Sequence, residues 1–165
     1  MLVEMKIKGL AIDPSSNMPI VLLADRDDRH VVPIWIGILE ASAIATEIEK
    51  VEAPRPMTHD LVMRMLRELH ATIERIVVRD LQDNTFFADI HVRAGARELV
   101  FDARPSDSMA LALRSGASIW MESAVIEKAA VREKAEEEEG EGEGDAPKKK
   151  LEEMTLEDFP TKFKI

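Results

Sequence analysis

The sequence predicts an α+β domain, a mixed and largely antiparallel sheet with helices packed on it. Three observations point there. The N-terminal run alternates Val3, Met5 and Ile7 with Glu4, Lys6 and Lys8, the period of a half-buried strand. Two groups of three strand-like runs are each followed by a helix-like run. Short stretches of turn-forming residues join the runs within each group, as in hairpins.

The elements follow in order. "DPSSN", Asp13 to Asn17, is rich in turn formers. "PIVLLA", Ile20 to Ala24 after Pro19, is an unbroken apolar run and reads as a central strand. "DRDDR", Asp25 to Arg29, is a charged turn, and "HVVPIWI" is a third strand. Pro33 within it predicts an edge position or a bulge, because proline cannot donate to a ladder. Gly37 breaks the chain before "EASAIATEIEKV", where Ala41, Ile44, Ala45, Ile48 and Val51 fall at helical spacing. The small residues of that stripe let the helix approach a neighbour closely. Pro54 and Pro56 stop it.

Thr58 is expected to cap a second helix, His59 to His70, with an apolar stripe of Leu61, Val62, Met65, Leu66 and Leu69. Strands are expected at about Thr72 to Arg79, Phe86 to Arg93 and Glu98 to Ala103, joined by "QDN" and "RAGAR". Ser106 is expected to cap a third helix, Asp107 to Ser115. Its "MALAL" is apolar on every side and predicts burial, and Gly116 suits its C-terminus. "ASIWM" reads as a last strand, and Ser123 starts a helix to about Ala135.

The two halves share a β-β-β-α order. An offset of 67 residues aligns Glu40-x-x-Ala43-Ile44-Ala45 with Asp107-x-x-Ala110-Leu111-Ala112. An internal duplication is one reading, and a chance likeness of two Ala-rich helices is the other. From Glu136 to Lys150 the chain reads "EEEEGEGEGDAPKKK". Such a stretch cannot bury enough apolar surface to offset its ordering entropy, and a disordered linker is expected. Leu151, Met154, Leu156, Phe159, Phe163 and Ile165 then restore apolar character. The expected division is a domain over 1–135, a linker over 136–150 and a docking segment over 151–165.

Composition narrows the function. The chain has 165 residues, 45% of them hydrophobic, and no cysteine, which excludes disulfides and thiolate metal sites. "MLVEMKIKGLAI" is neither a signal peptide nor a membrane span, and a cytoplasmic protein is the expectation. The net charge is −10, and residues 1–127 alone hold 20 acids against 14 Lys and Arg. An acidic body lacks the basic footprint of a strong, non-specific nucleic-acid binder. There is no H-E-x-x-H, P-loop, G-x-G-x-x-G or nucleophile elbow, and His30, His70 and His91 show no ligand spacing.

Three polar helix starts stand out instead. Each presents free backbone N–H groups, a favourable geometry for a shared site. At the third, Asp102 should lie across its strand from Phe101, the expected core residue, and Asp107 should sit in the first helical turn. Asp107 either complements the helix dipole or, with Asp102, holds a divalent cation. Arg104 either fixes the loop or clamps a phosphate with its fork. At the second, Arg55 is a surface charge or a phosphate ligand, and Asp60 a dipole acid or a catalytic carboxylate. His59 is the best-placed group for proton transfer, although a histidine there can also be simply solvated. At the first, Glu40 is a dipole acid or the third carboxylate of the cluster.

"VPIWIGILEASAI" from Val32, "RPMTHDL" from Arg55 and "DARPSDSMALALR" from Asp102 together resemble the bifunctional nuclease family. The likeness covers about residues 1–127, and "LEDFPTKFKI" resembles the tail that many bacterial members carry. Ser108 stands where alanine is common in the family. The resemblance implies a mixed α+β domain, often oligomeric, able to degrade both DNA and RNA. It marks Glu40, Arg55, Thr58, His59, Asp60, Asp102, Arg104, Ser106 and Asp107 as the functional surface. Chemistry assigns the roles. Glu40, His59, Asp60, Asp102 and Asp107 are catalytic candidates, with Glu40, Asp102 and Asp107 able to hold Mg²⁺ or Mn²⁺. Arg55 and Arg104 bind phosphate, while Thr58 and Ser106 support caps. The rival is a non-catalytic regulatory or oligomeric module in which the same residues lock loops.

Overall fold

The computed structural model describes residues 1–130. The linker and docking segment expected beyond residue 135 lie outside the described residues. The elements are β1 (Leu2–Ile12), β2 (Pro19–Asp25), β3 (Val31–Trp35), α1 (Ile38–Ile48), α2 (Thr58–Glu68), β4 (Ala71–Gln82), β5 (Thr85–Ala94), β6 (Arg97–Ala103), α3 (Pro105–Ser115) and β7 (Ser118–Glu122). Residues 123–130 are helical and are called α4. The element order is the one the sequence predicts.

One seven-stranded sheet runs in the order β3-β2-β1-β7-β4-β5-β6. It consists of two antiparallel meanders with β7 between them. β7 pairs antiparallel with β1, Met5 opposite Ile119, and parallel with β4, Ile76 opposite Ile119. The parallel pairing requires a crossover, and α3 supplies it, carrying the chain from edge strand β6 back to the middle. Pro33 lies on β3, an edge strand, as its missing N–H demands.

The helices cover one face of the sheet. Val21, Leu23, Ile76, Ile90 and Met121 from the strands form one buried cluster with Ala41 and Ile44 of α1, Met109 and Ala112 of α3, and Val125 of α4. α3 packs against both α1 and α2 as well as the sheet, which explains why its sequence is apolar all round. On the opposite face, Ala11, Ile20 and Leu22 form a small second cluster with Val31 and Trp35. Every residue of β2 is therefore buried, and that accounts for its unbroken apolar run.

Three expectations need correction. Thr58 is not an N-cap: Met57 is, and the Asp60 carboxylate reaches back to accept the Met57 N–H at 2.9 Å. Ser106 is not an N-cap either. Pro105 fits the first helical position, where its fixed φ is already helical and its missing N–H costs nothing, so Arg104 becomes the cap. Phe101 is half exposed rather than core, because β6 is an edge strand. Gly116 does close α3, at φ 73° in the left-handed region.

Candidate functional site

The N-caps Gly37, Met57 and Arg104 all have extended backbone, and none gives its helix a side-chain cap bond. Polar side chains of the three first turns are thus free to reach across to one another. They do, through one guanidinium and one imidazole. Arg104 donates from Nε to Asp107 Oδ2 at 2.8 Å and from Nη1 to Glu40 Oε1 at 2.6 Å. The other Asp107 oxygen, Oδ1, meets His59 Nε2 at 2.9 Å. A continuous chain, Glu40–Arg104–Asp107–His59, joins the starts of α1, α3 and α2.

The local sequence makes room for it. A Cβ at Gly37 would collide with Glu40 Oε2. Gly37 has φ −74°, which any residue adopts, so this glycine serves space and not conformation. It lets the Glu40 carboxylate fold over the start of α1 toward Arg104.

Asp60 and an unforeseen residue, Arg114, brace the cluster. The Arg114 side chain is only 7% exposed. Its Nε donates to Asp60 Oδ1 at 2.7 Å, and its Nη1 donates to the carbonyls of Ala43 and Ala110 at 3.0 Å each. One buried cation therefore ties α1, α2 and α3 together through its Nε and Nη1. Both Asp60 oxygens are committed, to Arg114 and to the Met57 N–H, so Asp60 is a brace. The signal for Arg114 was present in the sequence: it is the one charge after the "MALAL" run of α3.

The electrostatics favour two ionised carboxylates. Burial pushes Asp107 upward, but hydrogen bonds from Arg104 and then His59 outweigh it and hold the group below the ordinary carboxylate range. For Asp60 the Arg114 hydrogen bond leads and outweighs burial, with the same result. The hydrogen bonds that Arg104 donates to Asp107 and Glu40 raise its pKa further, so it stays charged. An ionised Asp107 only accepts, which places the proton of neutral His59 on Nε2. His59 Nδ1 is then the basic nitrogen, and it has no hydrogen-bond partner among the described residues. Arg104 Nη2 likewise has none, and the Arg104 side chain is 65% exposed.

Asp102 stands apart. Alternation along β6 sends it to the sheet face that carries no helices, opposite Asp89 of β5. There it accepts from Arg79 Nη2 at 2.8 Å, while Arg79 Nε donates to Asp89 at 2.9 Å and the guanidinium lies 5.5 Å from the Phe87 ring centroid. The structure does not bring Asp102 to Glu40 and Asp107. Glu40 and Asp107 are bound to Arg104, and no three His, Cys, Asp or Glu among the described residues are grouped to hold a metal ion. Arg55 is exposed and makes no ion pair among the described residues. Thr58 is exposed at the start of α2, and Ser106 is buried in the first turn of α3.

No helix among the described residues is long and apolar enough to cross a membrane. Two uncharacterized proteins of Mycobacterium tuberculosis, one from strain CDC 1551 / Oshkosh and one from strain ATCC 25618 / H37Rv, are similar to this chain. Each is 40% identical over 126 residues, 76% of this chain and 75% of the relative. Residues 21–134 match the family model of the bifunctional nuclease domain, a span that takes in most of β2, all of β3 through β7 and every residue of the Glu40–His59 chain, and the protein belongs to the bifunctional nuclease domain family.

Proposed function

We propose that the chain hydrolyses phosphodiester bonds of DNA and RNA at the joined helix starts. The observation that carries this reading is the His59–Asp107–Arg104 arrangement. A histidine oriented by a part-buried carboxylate sits beside a cation with a free donor edge. His59 Nδ1 takes a proton from the attacking water, and Asp107 steadies the imidazolium that results. Arg104 Nη2 donates to a non-bridging phosphate oxygen and offsets the charge that builds there. The new P–O bond forms as the ester P–O bond breaks, and solvent protonates the leaving oxygen. Arg55, exposed before α2, adds a second contact to the nucleic-acid backbone. The donor set does not fit a metal centre, and no step is assigned to one. A cytoplasmic setting, where both polymers occur, goes with this activity.

One observation favours a different reading. Arg104 already binds two carboxylates, so the cluster also resembles a lock between helices. Together with the net charge of −10, that suits a non-catalytic module that assembles with copies of itself.

Cleavage of labelled single-stranded DNA and RNA by purified protein separates them, with His59→Ala as the reference variant. The nuclease reading expects a loss of about a hundredfold or more, the scale of general-base catalysis. It also expects activity to persist in EDTA. A contaminating nuclease would not respond to the substitution, and equal cleavage by both proteins hands the site to the assembly reading. Loss of all cleavage in EDTA would restore a metal to the mechanism.

A further inference from the structure

We propose that residues 151–159 of this chain dock on the outer face of α2. This inference stands independently of the nuclease reading.

α2 has no buried residue. Val62, Met63 and Leu66 pack partly against the core. The outer face is apolar as well: Met57 is 49% exposed, Leu61 51%, Met65 56% and Leu69 71%. Spaced four apart, these residues form one stripe along the helix. A run of large apolar side chains left in water marks a binding surface more often than chance exposure does. Arg64 and Arg67 are exposed on the same helix, and neither makes an ion pair among the described residues. Unpaired cations are unexpected in a chain with 32 acids against 22 Lys and Arg. The surface calls for an occupant that is both apolar and acidic.

The sequence contains such an occupant. "LEEMTLEDF" places Leu151, Met154, Leu156 and Phe159 among Glu152, Glu153, Glu157 and Asp158. Its apolar residues match the stripe, and its acids match Arg64 and Arg67. Length allows the contact. Residues 131–150 lie between α4 and this segment, and a coil of that length spans on the order of 25 Å. A domain of this size has a radius of gyration of about 14 Å. Tethering also sets a local concentration of about millimolar, so even a weak intrinsic affinity fills the face ahead of a free partner.

The absence of cysteine from the chain makes the test clean. Met65→Cys with Phe159→Cys places one thiol on the stripe and one in the segment. Val100→Cys with Phe159→Cys is the control. Val100 is 53% exposed and lies on the open face of β6, an apolar site of similar exposure. A disulfide requires the two Cα atoms to come within about 7 Å. On mild oxidation of the full-length chain, the Met65 pair is expected to close within one molecule at least tenfold faster than the Val100 pair. Leu61→Glu added to the Met65 pair should slow closure to the control rate. Equal rates for the two pairs, no effect of Leu61→Glu, or a disulfide that joins two chains would each overturn the proposal.

Discussion

Two clusters of the same chemistry lie on opposite faces of this sheet. On the helix side, Arg104 bridges Glu40 and Asp107. On the open side, Arg79 bridges Asp89 and Asp102. Each is one arginine between two carboxylates, at distances of 2.6 to 2.9 Å. They differ in what lies next to them. The helix-side cluster continues to a mostly buried imidazole and to three helix N-termini. The open-side cluster ends on a solvent-facing strand, with Asp102 72% exposed. Thus the same ion-pair pattern meets an imidazole where three helix starts come together, and solvent where the strand lies open. "DARPSD" feeds both clusters from one short stretch, because Asp102 belongs to a strand with period two and Asp107 to a helix.

Breaking each cluster should sharpen that contrast. The largest effect among these substitutions is expected from Arg104→Ala. Arg104 is 65% exposed, so its pairs contribute about 0–1 kcal/mol to stability and the fold should survive. Cleavage should still fall by about a hundredfold, because the phosphate loses its charged donor. Arg79→Ala should change cleavage less than twofold. Equal losses in the two variants would erase the distinction.

Gly37→Ala should have a smaller effect. The substitution places no strain on the backbone but displaces the Glu40 carboxylate from its position beside Arg104. Since Arg104 keeps its bond to Asp107, a several-fold loss of cleavage with little change in melting temperature is expected. A wild-type rate would show that Glu40 does not position Arg104.

The smallest effect concerns acid stability. The Lys128 hydrogen bond, followed by those from Gln82 and the Leu81 N–H, holds Asp80 down to about 2. A folded pKa below the unfolded value of about 3.9 contributes stability that is present above about pH 4. That contribution is lost as pH falls toward 2. Asp80→Asn should therefore lower the melting temperature slightly at pH 7 and leave it level with wild type near pH 2. A difference that persists at pH 2 would rule out the Asp80–Lys128 pair as its source.

Much of the fold was legible because periodicity is local. The alternation of β1, the unbroken apolar run of β2 and the all-round apolar α3 each follow from what lies above and below that element. Boundaries were less legible. β4 runs on to Gln82, past its expected end at Arg79, through register shifts that break its alternation. The starts of α2 and α3 moved because Asp60 and Pro105 set the caps, not the hydroxyl residues. The polar residues of the site could be picked out by type, but their convergence is a fact of tertiary packing. Strand alternation already set Asp102 opposite the expected core face of β6. It did not show that the helices occupy the core face, and that is what removes Asp102 from the cluster. Arg114 was visible as a charge after an apolar run, but its bracing role was hidden for the same reason: its partners Asp60 and Ala43 are distant in sequence.

The most direct measurement compares Asp107→Asn with Asp102→Asn on a short labelled single strand. Both variants remove one charge, from positions five residues apart. Asp107 orients His59, so its loss should reduce turnover by about a hundredfold or more. Asp102 faces the open side, so its loss should leave turnover within twofold of wild type. Equal behaviour of the two variants, whether both fall or neither does, would contradict a site at the joined helix starts.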